Sequence, residues 1–145
     1  MRTLENLVIA FLDRSLPKAE WTHEAHLRVG LWHVHKLGPP AAMDALRDRI
    51  KAYNESVGGK NTDTEGYHET ITQFYVFTIA GFLKEVDQTR PLADLAEELI
   101  HFHGDRNLPL RYYTKERLFS KEARLSYVES DLAASRNDVT ARPSM

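Results

Sequence analysis

Seven histidines in 145 residues are the groups in this chain best suited to chemistry near neutral pH. Imidazole titrates there, and its neutral form is both a base and a metal ligand. His23 and His26 stand three apart, so on a helix their rings share one face, with β-carbons about 5–6 Å apart. They follow Thr22, a residue type that caps helix starts. The positive end of a helix dipole disfavours a protonated ring, so both are expected to be neutral. With His68 as a third ligand, they would suit zinc, iron or manganese with a fourth position open. Such an ion acidifies a bound water, whose proton Glu69 or Glu24 could handle.

The same residues also make a pocket without metal. Trp21 and Tyr67 adjoin the histidines and could wall a small apolar site, with Asn54 in support. Arg124, in Ser120-Lys-Glu-Ala-Arg124, could fold back over this end and bind an anion. A third reading has the histidines only capping and packing. The pattern is less diagnostic than His-Glu-x-x-His, because His23-Glu24-Ala25-His26 is one residue too short. His33 and His35 fall on other faces of the same helix and read as incidental. There is no P-loop, no GxGxxG and no Gly-x-Ser-x-Gly, which disfavours NTPase, dinucleotide and serine-hydrolase chemistry.

These residues need helices to position them. Leu4, Leu7, Val8, Phe11 and Leu12 recur at helical spacing over about residues 3–14, capped by Thr3 and stopped before Pro17. A second helix starts at Thr22 and ends at Leu37-Gly38-Pro39-Pro40. A third spans about residues 41–56, with Met43, Leu46, Ile50 and Tyr53 as its stripe. The fourth is expected from Thr62 or Thr64 to Val86. Thr62 and Glu65 are spaced as a capping box, and the run from Ile71 to Leu83 is apolar nearly all round, as in a central, buried helix. The fifth covers about residues 91–102. Short helices follow at about residues 114–119 and 120–127, and residues 133–145 read as a polar, loosely packed tail. The expected fold is therefore all-α: one helical domain over residues 1–132, a bundle of five main helices plus short C-terminal ones.

Short connections make neighbouring helices antiparallel. The starts of helices two and four then share one end of the bundle with the ends of helices one, three and five. That juxtaposition brings His23, His26 and His68 near Tyr53 and Asn54. It also brings in His101 and His103, whose role the sequence does not define.

Three segments, Trp21-Thr-His23-Glu-Ala-His26-Leu27, Gly66-Tyr67-His68-Glu69-Thr70-Ile71-Thr72, and Ser120 through Arg124 to Asp131-Leu132, resemble a group of small, uncharacterised bacterial proteins. That group has a His-x-x-His-Leu segment followed by a Tyr-His-Glu-Thr-Ile-Thr segment. The resemblance runs from about residue 21 to 132 and implies that these segments belong together. It implies no substrate. Ser130 stands where a proline often precedes the final Asp-Leu pair, which weakens the last part of the match.

Composition narrows the function classes. A net charge of −2 gives no electrostatic footprint for nucleic acid. Arg106, Arg111, Lys115, Arg117, Lys121 and Arg124 form a basic run, but Glu116 and Glu122 interrupt it, as on a solvated face. The absence of cysteine rules out thiolate chemistry and disulfides and fits the cytoplasm. No apolar stretch is long enough to span a membrane. The expectation is a small metal-dependent enzyme, hydrolase-like, acting on a small molecule. The alternatives are a metal-free small-molecule binding module and a partner-binding helical domain, in which an apolar stripe could also bury a homodimer interface.

Overall fold

A computed structural model describes residues 2–132; the expected tail over residues 133–145 lies outside them. Every regular element among the described residues is helical. The main helices are α1 (Leu4–Leu12), α2 (His23–Leu37), α3 (Pro39–Ser56), α4 (Glu69–Lys84) and α5 (Leu92–His103), followed by the short α6 (Lys115–Leu118) and α7 (Lys121–Leu125). Single 3₁₀ turns lie at Lys18–Glu20 and Leu108–Arg111. None of the described helices is long and apolar enough to cross a membrane.

The caps explain most of the boundaries. Thr3, Thr22, Thr114 and Ser120 each accept a first-turn amide, from Asn6, Ala25, Arg117 and Ala123 respectively, which satisfies a donor the helix cannot. Arg14 takes a left-handed conformation (φ 65°) just past α1, and the chain turns toward α2.

The start of α4 departs from the sequence expectation. Thr62 does act as a cap, but of a local turn: its hydroxyl accepts from the amides of Thr64 and Glu65, while its own amide donates to the Glu65 carbonyl. Gly66 then adopts φ +84°, where a side chain would collide with the Lys60 carbonyl. No helix runs through that point. His68 caps α4 instead, its Nδ1 accepting from the Ile71 amide at 3.1 Å.

The central position is shared. α2 packs against α1, α3, α4 and α5, while α4 contacts α2, α3, α5 and α7. α4 is apolar nearly all round because it has two cores to face. One side joins the main core with Val8, Phe11, Leu27, Leu31, Leu46 and Leu99. The other offers Phe74 to a second cluster of Leu108, Tyr112, Tyr113 and Leu118, so the C-terminal turns cover a helix face that would otherwise meet water.

The expected gathering of helix ends is present. The Tyr53 hydroxyl, late in α3, donates to the Leu16 carbonyl just past α1 at 2.8 Å. Trp21, just before α2, stacks on Phe11 of α1 with ring centroids 4.8 Å apart and lies 5.2 Å from Tyr53. Gly104, just past α5, lies beside the ring of His23.

Candidate functional site

At this gathered end a cavity of about 350 Å³ enters the bundle, within the range of small-ligand sites. Leu27, Leu46, Ile50, Ile71, Val76 and Ile79 form its apolar wall, and Thr22, His23, His26, Thr72, Tyr75 and Arg106 supply the polar groups. Gly30 completes the wall on α2. A β-carbon there would stand 3.0 Å from Ile79 Cδ1, so glycine lets α2 and α4 approach and leaves the space open.

His26 is the best-defined polar group. Its Nδ1 lies 2.7 Å from the Thr22 carbonyl oxygen. A carbonyl can only accept, so Nδ1 carries the proton. The ring packs against Trp21 at a tilt of 31°, with centroids 3.8 Å apart. His26 is solvent-exposed and lines the cavity, yet its ring is crowded by neighbouring protein atoms. That desolvation pushes its pKa down to about 4, against the opposing effect of the Thr22 carbonyl. At neutral pH the ring is therefore uncharged, and Nε2 presents a lone pair to the cavity.

His23, one turn earlier, is half-buried and lies edge-on to Tyr75 with centroids 5.7 Å apart. Burial lowers its pKa as well. Its Nε2 is buried without a hydrogen-bond partner; the Gly104 backbone favours the protonated ring without reaching hydrogen-bond geometry. An unsatisfied polar atom beside a cavity calls for an explanation, and a ligand group is one.

A second, more polar cavity of about 390 Å³ adjoins the first and shares Trp21, His26, Ile50, Ile71 and Thr72 with it. Asn54, Tyr67 and His68 line this second space. Both nitrogens of His68 are engaged: Nδ1 in the cap, and Nε2, 2.7 Å from the Leu118 carbonyl, as a donor. Its pKa is lowered, chiefly by burial. His68 thus joins α4 to the C-terminal turns and has no lone pair left for a metal. Among the described residues no three His, Cys, Asp or Glu side chains are grouped so as to hold a metal ion. The trio His23, His26 and His68 is not assembled at one point.

Glu69 is likewise engaged elsewhere. Arg47 grips both its oxygens, through Nε at 2.9 Å and Nη2 at 2.8 Å, while the Tyr67 hydroxyl donates at 2.8 Å and Gln73 at 3.1 Å. Burial acts to raise the Glu69 pKa, but these donors outweigh it and hold the carboxyl below its usual range. An anchored, permanently ionised carboxylate is a weak base. Glu24 is exposed and off the cavity wall. Arg124 does fold back over this end, where its guanidinium donates to the Gly66 carbonyl at 2.8 Å and braces the turn before α4. Asn54 donates to Asn61 at 3.0 Å, tying the end of α3 to the same loop. His101 and His103 lie off both cavity walls.

Three cavity-lining residues, Thr72, Tyr75 and Arg106, are ones the sequence reasoning left aside. Thr72 and Tyr75 lie one and two turns into α4 and face the cavity; their i, i+3 spacing was a usable signal, masked by the apolar run around them. Arg106 reads in sequence as part of a solvated basic run, yet it lines the cavity. His33, the incidental histidine, is fully buried: its Nδ1 donates to the Val29 carbonyl at 2.8 Å and its Nε2 accepts from Arg49 at 2.9 Å.

No protein-family model, no curated protein and no solved structure matches this chain. The chemistry of the cleft therefore carries the functional reading.

Proposed function

We propose that this protein binds a small, mostly apolar molecule in the cleft between α2, α3 and α4, with His26 as the group that accepts a hydrogen bond or a proton from it. The observation that carries this is the Nε2 of His26, a lone pair in an apolar cavity on a ring whose tautomer is set by the Thr22 carbonyl. A fixed orientation and a fixed protonation state are what a positioned base or acceptor needs. The test is a titration with phenylbutanol, an apolar probe ending in one donor, followed through the ring resonances of His26. Saturable shifts in the native chain, and affinity about tenfold weaker in His26→Ala, are expected. No saturable shift at millimolar probe would end this reading.

A metal-dependent enzyme is the second reading. It is favoured by two imidazoles on one wall, one of them with a buried, unpartnered Nε2. His23 and His26 would then hold a divalent zinc, iron or manganese ion, and the remaining positions would be filled by substrate or water. Near-stoichiometric metal in the purified protein, lost in His26→Ala and retained in His68→Ala, is the expected result. Loss in His68→Ala with the fold intact would point instead to a site that includes His68.

A further inference from the structure

The ionisable groups on the wall of the main cavity are His23, His26, Tyr75 and Arg106, and no carboxylate is among them. The two imidazoles are held neutral by burial and burial raises the Tyr75 pKa, so the wall carries one permanent charge, that of Arg106. Its guanidinium makes no ion pair or hydrogen bond with any described residue. The acid next to it in sequence, Asp105, is not paired with it: its carboxylate accepts from the Asn107 amide at 2.9 Å and faces Arg111 at 4.0 Å, although its charge is still felt by His23 and Tyr75. The start of α2, at the same mouth, adds the positive end of a helix dipole.

An unpaired guanidinium beside an apolar cavity favours a planar anion that it can grip with two donors. One such group suits a single negative charge. A neutral His26 offers an anion no donor at Nε2, so the guanidinium is the better seat for it. The cavity volume of about 350 Å³ corresponds to about a dozen water-sized groups. We propose that the natural ligand is an ionised apolar carboxylic acid of about this size. Its carboxylate lies on Arg106 at the mouth, its hydrocarbon body lies among Leu27, Leu46, Ile50, Ile71 and Ile79, and one hydroxyl or N–H on that body donates to His26. This rests on the small-molecule reading above and adds the charge and class of the molecule.

The test compares phenylbutyrate with its neutral amide, phenylbutanamide, on the full chain near neutral pH, followed by the His26 ring and Trp21 indole resonances. Variants Arg106→Gln and Arg106→Lys are titrated in parallel; the side chain is exposed, so both should fold. The acid is expected to bind about tenfold more tightly than the amide, with added salt weakening the acid alone. Arg106→Gln should remove the preference by weakening the acid far more than the amide, and Arg106→Lys should keep part of it. Equal binding of acid and amide, or a preference that survives in Arg106→Gln, overturns the carboxylate proposal but leaves the cleft as a small-molecule site. Failure of both probes to bind overturns the proposal and the site reading together.

Discussion

The Nδ1 of His26 lies 2.7 Å from the carbonyl oxygen of Thr22, four residues back on the same helix, so the helix that carries the ring also sets its tautomer. Nitrogen-detected NMR should show the Nδ1–H form at neutral pH, with protonation of this ring only near its pKa of about 4. Titration close to the ordinary histidine value, about 6.5, or a ring protonated on Nε2, would remove the acceptor from the cavity.

The grip of Arg47 on Glu69 makes a structural role the expectation for that carboxylate. Glu69→Ala leaves Arg47, the Tyr67 hydroxyl and Gln73 without their shared acceptor. Losing one partner of a buried pair costs about 3–5 kcal/mol; Arg47 is a third exposed, so a value near about 2–3 kcal/mol is expected here. Urea denaturation measures it. Binding of phenylbutanol to the folded fraction should not change, and a large selective loss of binding would return Glu69 to the site.

The architecture was legible in sequence where local chemistry decides it. Thr22 and Thr3 cap the helices they were expected to cap, and the antiparallel run brings Trp21, His23, His26 and Tyr53 to one end. What could not be read were partners fixed by tertiary packing. The Thr62–Glu65 spacing describes a cap equally well for a turn or a helix, and only Gly66, held left-handed against Lys60, decides between them. Both ring nitrogens of His68 are engaged, Nδ1 by the Ile71 amide and Nε2 by the Leu118 carbonyl, the second of them 50 residues away. Arg47 has a local partner in Asp44 one turn back, and nothing local marks its second one, Glu69, 22 residues away. Arg106 looked like one more solvated cation because its place depends on how the chain turns after α5.

Gly30→Ala should shrink the cleft without unfolding the protein. The new methyl meets Ile79 Cδ1 at 3.0 Å, but Ile79 lines the cavity and its terminal carbon can swing into that space. Replacing a mid-helix glycine gains about 0.5–1 kcal/mol of helix stability, so melting should hold steady or rise slightly. Affinity for phenylbutanol should fall several-fold. Unchanged affinity would mean that the ligand does not reach this part of the wall.

Stability should decline as pH drops below the ordinary histidine range. His26 has a folded pKa of about 4, below the unfolded value of about 6.5, so between these limits the unfolded chain binds more protons. By linkage, this group's contribution is complete above the unfolded pKa and is lost as pH falls toward the folded one. His23, His33 and His68 are lowered in the same direction and add to the slope. Protonating His33 would oppose the Arg49 guanidinium that donates to it, and protonating His68 would remove the α4 cap. The depressed Glu69 carboxyl extends the loss to more acidic pH, where it begins to protonate in the unfolded chain. Urea midpoints should therefore fall steadily from about pH 7 to about pH 4.5, and less steeply in His26→Gln. A flat midpoint across that window would show that these imidazoles are not desolvated in the folded protein.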